Sequence, residues 1–296
     1  MFPSGILVSS EMPFAQEGKR EEKQIANING KSHYSEEETS LRNQLASLYR
    51  LVDKFHWSQS IYNHMTVRLP THSHEILINP FGLSYHEINA SSLIKVDLAG
   101  NVIDQGSTSH SINQAGYVLH SALHEGRPDV QAILHLHTPV VAAVSSMKCG
   151  LLPLSQEAMI LGEASYHEYQ GILVDDEEKA SLVSDLGSRN VMILRNHGFV
   201  VCGRTIPEAF FRMYLLILAC EIQVKAMSCG GIEHLHLPSK GAQDRANKTA
   251  SHGAGGVNRE QNQVRNERWA LGELEWQAWM RILDSEGLKT GYQYKE

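Results

Sequence analysis

Segments with the spacing of an α-helix alternate along this chain with segments that have the spacing of a β-strand. Helices are predicted at 41–55, 112–125, 140–146, 175–186 and 209–227. Short apolar or alternating runs predict strands at 65–69, 76–78, 94–98, 131–137, 191–194 and 199–202. Few architectures accommodate this order, because each amphipathic helix must bury its apolar stripe against another element. We therefore predict an α/β domain in which helices cover a largely antiparallel sheet.

The predicted domain occupies residues 35–230 and begins at a helix-capping sequence that starts with Ser35. Residues 1–34 are polar and show no periodicity, which is typical of a disordered tail. Residues 231–262 are rich in Gly, Ser, Asn and Lys and are predicted to form a flexible loop or linker. Residues 263–296 carry three tryptophans on a last helix, which is expected to pack on the domain.

The composition excludes several classes of function. The net charge is −7 and the basic residues are scattered, so no nucleic-acid partner is predicted. The four cysteines lack CxxC spacing, which indicates reduced thiols and a cytoplasmic location. The most apolar helix contains Arg212, Glu221 and Lys225, so no transmembrane segment is predicted. The N-terminus does not have the pattern of a signal peptide either.

Two histidines lie on one predicted strand, and a third lies in a predicted turn. His135 and His137 are two residues apart, so their imidazoles leave the same face of the strand. His197 lies in the turn Asn196-His197-Gly198 between two later strands. Three histidines with an open fourth position are the ligand set of a catalytic zinc site. The alternative interpretation is three hydrogen-bonded histidines of a sheet that hold no metal.

Three segments resemble the class II aldolase/adducin family in order and spacing: HSALHEGRPDV, which begins at His120, then ILHLHTP, then LRNHG. The resemblance implies a three-layer α/β/α fold with a central, mostly antiparallel sheet and helices on both faces. In the aldolases of this family, the HxH and NHG histidines bind Zn²⁺, which stabilises an enediolate. Carried onto this sequence, the implied cofactor is Zn²⁺ and its ligands are His135, His137 and His197.

Within the family, the chain is most similar to the adducin head. The segments that carry this likeness are INPFGLSYHEINASSLIKVDLAGNVIDQGST, AVSSMKCGLLPLSQEAMILGE, ACEIQVKA and GELEWQAWMRILDSEGLKTGYQY. The likeness extends over about residues 41–294, except for the loop near 231–262. These segments correspond to the head alone and do not include the adducin neck and basic tail.

The chain departs from the aldolases at their catalytic and phosphate-binding positions. The aldolases carry a Glu or Asp as the acid/base four residues before the histidine that aligns with His120, and this chain has Gly116 there. Glycine cannot transfer a proton, so no catalytic residue is predicted. Phe81-Gly82 stands where the aldolases have a Thr-Gly pair, and Asn63 remains from a Gly-Asn pair. Asn63 and Gly82 are therefore interpreted as the remnant of a substrate pocket.

Other acids could replace the missing carboxylate. Glu125, Glu157 and Glu168 lie near the family motifs in sequence. Solvated surface charge is the more common role for carboxylates at helix ends and in loops.

The resemblance leaves two functions open. The first is an adducin-like cytoskeletal scaffold that associates with actin and spectrin, self-associates through contacts near the Trp-bearing last helix, and lies in the cytoplasm, peripheral to the plasma membrane. The second is a zinc-dependent aldolase-type lyase or epimerase that acts on a small hydroxylated carbonyl compound. Gly116 and Phe81 favour the scaffold, whereas the retained histidine triad favours the enzyme. We expect the scaffold.

Overall fold

The computed structural model of the 296-residue chain describes residues 24–27, 34–70, 72–168, 176–251, 253, 255–260 and 263–295. The helices are α1 Glu36–Lys54, α2 Gln114–Gly126, α3 Pro139–Ser145, α4 Gln156–Leu161, α5 Asp176–Leu186, α6 Ile206–Met227, α7 Lys240–Ala250 and α8 Glu273–Ser285. The strands are β1 His64–Leu69, β2 His72–Ile78, β3 Ile94–Asp97, β4 Val102–Asp104, β5 Ala132–Leu136, β6 Ser165–His167, β7 Val191–Leu194, β8 Gly198–Gly203, β9 Gly255–Glu260 and β10 Gln263–Arg268.

Eight of the strands form one sheet in the order β4-β3-β2-β1-β5-β8-β7-β6. Every neighbouring pair in it is antiparallel except β6 and β7, which are parallel. The centre of the sheet is therefore β1-β5-β8, where His64 lies opposite His135 and His135 lies opposite Val200. The predicted, largely antiparallel sheet is confirmed.

Helices cover both faces of this sheet. On one face, α1, α3, α6 and α8 enclose a large apolar core that includes Leu45, Leu134 and Phe210. On the other face, α2 and α5 cover a smaller core that includes Leu123 and Ile133. Leu134 and Ile133 enter opposite cores because successive strand side chains point to opposite faces. These layers confirm the three-layer α/β/α architecture.

The first helix is fixed by local polar contacts as well as by its apolar stripe. The Ser35 hydroxyl caps α1 by accepting a hydrogen bond from the Glu38 amide at 3.1 Å. The Glu38 carboxylate in turn binds Arg42 at 2.9 Å and Lys95 at 2.8 Å. The Arg42 side chain is fully buried and also donates to the Leu93 carbonyl oxygen at 2.8 Å. This network ties α1 to the β3 side of the sheet.

Part of the predicted disordered tail is ordered. Residues 1–23 and 28–33 lie outside the described residues, but residues 24–27 are described, and Ile25 is fully buried. The Ile25 amide donates to the Leu288 carbonyl oxygen, and the Ala90 amide donates to the Ile25 carbonyl oxygen, both at 2.9 Å. Prediction of a tail across 24–27 was wrong because one apolar residue among polar neighbours leaves no periodic pattern.

The segment predicted as a flexible loop, residues 231–262, contains regular structure. Helix α7 begins after Ser239, whose hydroxyl accepts from the Ala242 amide, and Lys240 pairs with Asp244 one turn later. Strands β9 and β10 form an antiparallel hairpin, so the last helix, α8, begins only at Glu273. Placing all three tryptophans on this helix was wrong, because Trp269 precedes it. Helix α7 was not predicted because it has no stripe of large apolar side chains; an N-cap and an i,i+4 ion pair stabilise it instead. Among the described residues, no helix is both long and apolar enough to cross a membrane.

Substitution of Ile25 by alanine tests the ordered N-terminal contact. We expect Ile25→Ala to lower the free energy of unfolding by about 2–5 kcal/mol, because it leaves a cavity in the large apolar core to which Ile25 belongs. The exposed neighbour provides the control, and Gln24→Ala should change the stability by less than about 0.5 kcal/mol. Urea denaturation of the full chain measures both values. Equal stabilities of the two variants would contradict a stabilising role for the buried Ile25 side chain.

Candidate metal centre

The three predicted histidine ligands are brought together by the pairing of β5 with β8. His135 lies on β5, His137 follows the last residue of that strand, and His197 lies in the turn that leads into β8. Asn196 has a positive φ of 55° in this turn. A Cβ atom at Gly198 would lie 2.5 Å from the Leu136 carbonyl oxygen, so only glycine allows the turn to approach β5 this closely.

The triad of His135, His137 and His197 has the compactness of a metal site. One ring nitrogen from each residue lies within 4.8 Å of the others. The ring centroids are 4.6 Å apart for His135 and His137, and 4.3 Å apart for His137 and His197. His135 is buried and the other two are partly exposed, so the cluster opens toward solvent on one side. All three predicted ligands therefore meet at one point.

The outer hydrogen bonds of two triad members fix the roles of their nitrogens. Nδ1 of His135 donates to the Phe199 carbonyl oxygen at 2.9 Å. Nδ1 of His137 donates to Oε1 of Gln59 at 2.8 Å. Both protons are thereby on Nδ1, and both Nε2 atoms carry lone pairs. Metal-binding histidines are held by outer contacts of this kind.

The Nε2 atoms of His135 and His137 face each other, and they lie closer together than the roughly 3.3 Å that separates two nitrogens bound to one tetrahedral zinc, so the rings must move slightly apart to hold an ion. Nε2 of His135 lies 2.7 Å from Nε2 of His137. Burial and the neighbouring His197 lower the pKa of His137 to about 4. Burial and neighbouring histidines also lower the pKa of His135 well below its ordinary value. Three neutral imidazoles with a side open to solvent fit zinc, which accepts nitrogen ligands in a tetrahedral set.

The position of the missing carboxylate is filled by another histidine. Gly116 lies in the first turn of α2, and a Cβ atom there would be only 2.1 Å from Nε2 of His64. The His64 ring stacks on His135, with centroids 5.0 Å apart and planes inclined by 26°. Gly116 is not among the glycines with positive φ, so its role is to leave space and not to permit an unusual backbone. Any side chain at 116 competes with His64.

His64 belongs to a buried polar network that the sequence analysis missed. Its Nδ1 lies 2.9 Å from Nε2 of His120, whose Nδ1 lies 2.6 Å from the Thr66 hydroxyl. That hydroxyl also lies 2.9 Å from Nε2 of His124. Burial lowers the pKa of His124 to about 3, and it lowers the pKa values of His64 and His120 well below the ordinary value. The network is therefore uncharged at neutral pH.

A sequence signal for this network does exist. His64, Thr66 and Arg68 alternate along β1 with the apolar residues of the opposite face. His120 and His124 are four residues apart and so share one face of α2. Matching a polar strand face to a polar helix face would have predicted their contact.

The two predicted pocket-remnant residues lie on neighbouring loops. Asn63 is buried, and neither of its amide atoms has a hydrogen-bond partner. Gly82 has a positive φ of 111°, and a Cβ atom there would lie 3.0 Å from Nδ1 of His110. The adjacent rings of Tyr62 and Phe81 have centroids 6.1 Å apart, which brings the two loops together. A role for Asn63 and Gly82 in binding a substrate stays a prediction.

No carboxylate joins the triad among the residues that the structure describes. Of the three acids considered as replacements, Glu125 and Glu168 are exposed and Glu157 is partly exposed on α4. Glu168 lies 3.8 Å from Arg195, an ordinary surface ion pair. None of the three therefore belongs to the group of ligand atoms that lie within 4.8 Å of one another.

Comparison with known proteins identifies the family. Residues 43–224 match the class II aldolase and adducin N-terminal domain, and the chain belongs to the class II aldolase/adducin family. It is 48% identical to alpha-adducin of Rattus norvegicus over 264 residues, which are 88% of this chain and 35% of that protein. The chain thus spans about a third of the length of this curated relative.

Two solved structures share the fold. An aldolase II superfamily protein from Pseudomonas syringae is 38% identical with a TM-score of 0.77, and the match covers 87% of this chain and 97% of that one. L-fuculose 1-phosphate aldolase from Glaciozyma antarctica is 25% identical with a TM-score of 0.70, covering 90% of this chain and 99% of that one. The adducin likeness is therefore closer in sequence than the likeness to an enzyme of assigned activity.

The contact between Gly116 and His64 predicts a substitution whose effect changes sign. Gly116→Ala should lower the free energy of unfolding by roughly 1–3 kcal/mol, because the added methyl group overpacks the His64 ring. In a His64→Ala background, the same change should instead stabilise by up to about 1 kcal/mol, the gain in helix propensity.

A double-mutant cycle followed by urea denaturation measures this coupling. Gly241→Ala provides a matched control, since this α7 glycine has open space around its Cβ position apart from Arg245 at 3.4 Å. The control should stabilise the chain slightly in both backgrounds. Equal effects of Gly116→Ala with and without His64 would contradict the steric pairing.

Proposed function

We propose that this chain is an adducin-like scaffold module of the cytoskeleton and that it is not an aldolase. The observation that carries the proposal is the 48% identity to alpha-adducin over 88% of the chain. By the same resemblance, its partners are actin filaments and spectrin, and its place is the cytoplasmic side of the plasma membrane. The matched region is about a third of the relative's length, so these partners are proposed for the module alone.

Self-association is part of this proposal, and α8 offers a surface for it. The two tryptophans of α8 pack inward, because Trp276 is fully buried and Trp279 packs edge-on against Phe210 at 4.6 Å. The outer side of α8 instead exposes Leu274 at 40% and Ile282 at 41% of their surface. Exposed apolar side chains on one side of a helix favour contact with another protein surface.

Actin co-sedimentation tests the scaffold function. The purified chain should pellet with actin filaments well above a control without actin, and light scattering at micromolar concentration should give a mass above that of a monomer. Leu274→Glu combined with Ile282→Glu should shift the protein toward monomer, whereas Ser285→Glu on the exposed end of α8 should not. A wild-type monomer that stays in the supernatant would contradict both parts of the proposal.

A zinc centre at the triad is a second part of the proposal. It is supported by three convergent histidines whose ring nitrogens lie within 4.8 Å of one another. His135, His137 and His197 would hold the ion. When bound, zinc would polarise a ligand carbonyl or a water molecule as a Lewis acid.

A zinc-dependent lyase or epimerase is the alternative function. It is favoured by the triad and by the likeness to L-fuculose 1-phosphate aldolase at 25% identity over 90% of the chain. Proton abstraction beside a carbonyl also needs a base, and Gly116 provides none. His64 occupies the space that a carboxylate would need.

Retro-aldol assays separate the two functions. We expect no useful turnover of ketose or aldose phosphates by the zinc-loaded chain, because general-base catalysis contributes about 10²–10⁴-fold and its group is missing. The measurement is a coupled assay over a panel of sugar phosphates, with His135→Ala as the matched metal-site control. Robust turnover that disappears in His135→Ala would establish an enzyme and refute the scaffold proposal.

A further inference from the structure

The loop that joins α1 to β1, residues 55–63, is held in a defined conformation beside the triad. Two of its residues that are not glycine, His56 and Ser60, have positive φ values of 57° and 52°. Such conformations cost energy and persist only where surrounding contacts impose them. The Trp57 ring supplies such contacts by stacking on Phe55 at 4.7 Å, and its amide donates to the Val52 carbonyl oxygen at 3.0 Å.

This anchored loop presents Gln59 to the triad. Oε1 of Gln59 lies 2.8 Å from Nδ1 of His137, and the two residues are 78 positions apart in the sequence. The Gln59 backbone is itself tied down, because its carbonyl oxygen accepts from the Tyr62 amide at 3.2 Å. The side-chain contact is therefore a product of the folded loop and not of local sequence.

The orientation of the His137 ring depends on its hydrogen bond to Gln59 more than the orientation of the His135 ring depends on its hydrogen bond to Phe199. His135 lies within β5 and donates to a backbone carbonyl of the adjacent strand β8, which is present whenever the sheet is formed. His137 lies just beyond the end of β5, and its outer nitrogen is held by a side chain. A substitution can remove that side chain without disturbing the sheet.

We propose that Gln59 is the positioning residue of the metal centre: it holds the proton of His137 on Nδ1 and so directs the Nε2 lone pair into the triad. This inference rests on the proposed zinc centre. Without an acceptor at position 59, the imidazole can carry its proton on Nε2 or rotate away, and binding of zinc must then reverse that change. Loss of such an outer partner weakens metal binding by about 10–100-fold.

Two substitutions of similar size distinguish positioning from packing. Gln59→Glu keeps an oxygen acceptor and adds a negative charge, which makes His137 a stronger ligand. Gln59→Leu keeps most of the volume and removes the acceptor. Zinc affinity should therefore be at least that of wild type in Gln59→Glu and about 10–100-fold lower in Gln59→Leu. A merely structural role for the side chain would not produce this order.

The experiment has two readouts on the full chain. Competition with a chromophoric chelator measures the zinc affinity, and ¹⁵N NMR of the histidine rings in metal-free protein measures which nitrogen of His137 carries the proton. Gln293→Leu, at an exposed position near the C-terminus, is the matched control and should leave both readouts unchanged.

We expect the Nδ1–H form of His137 in wild type and Gln59→Glu, and a mixture of forms in Gln59→Leu. Unchanged zinc affinity and an unchanged His137 tautomer in Gln59→Leu would overturn the role of Gln59 while leaving the metal centre intact. Wild-type protein that binds no zinc would refute the metal centre, and the NMR readout would still decide whether Gln59 positions His137.

Discussion

Backbone pairing among β1, β5 and β8 is the interaction on which the rest of the structure depends. It sets His64 opposite His135 and His135 opposite Val200, so the register alone decides which imidazoles meet. A slip of one residue in β5 would turn the His135 side chain toward the large apolar core. The Leu134 side chain would then point toward the buried histidines His64 and His120 on the other face of the sheet. The two cores on either side of the sheet oppose such a slip, because each is matched to one face.

The buried histidines between α2 and β1 also contribute to the packing of α2 on the sheet. His120 and His124 are fully buried, and both contact the Thr66 hydroxyl of β1. A buried polar group that loses its partner costs about 1–3 kcal/mol, so each member of the network depends on the others. A protein without catalytic activity would therefore still lose stability if these histidines were replaced singly. Retained histidines alone are weak evidence for a retained reaction.

The sequence was most informative where the determining contacts are periodic or local. The HxH spacing placed His135 and His137 on one strand face, and the NHG turn brought His197 to them, as the structure confirms. The cap of α1 at Ser35 was likewise readable from neighbouring residues. The resemblance to a known family supplied the identity of the missing acid, which no spacing within this chain reveals.

Contacts between residues distant in the sequence were not predictable in this way. Ile25 is bonded to Leu288 near the opposite end of the chain, and nothing in its polar surroundings indicates that. The contact between His64 and Gly116 depends on the angle at which α2 crosses β1. No spacing of residues in a single sequence predicts that angle. Helix α7 was not predicted because its residues are mostly polar and it is stabilised by polar contacts. Its composition therefore resembles that of a loop.

The contact between Gly116 and His64 also limits which substitutions the chain can accept. A carboxylate at 116 requires an added side chain and the removal of the imidazole that fills its space. If the carboxylate comes first, the buried ring is overpacked; if the imidazole goes first, a cavity is left and His120 loses a partner. Either single step therefore passes through a less stable protein. A side chain at 116 and an imidazole at 64 thus exclude each other, so the two positions can change only together.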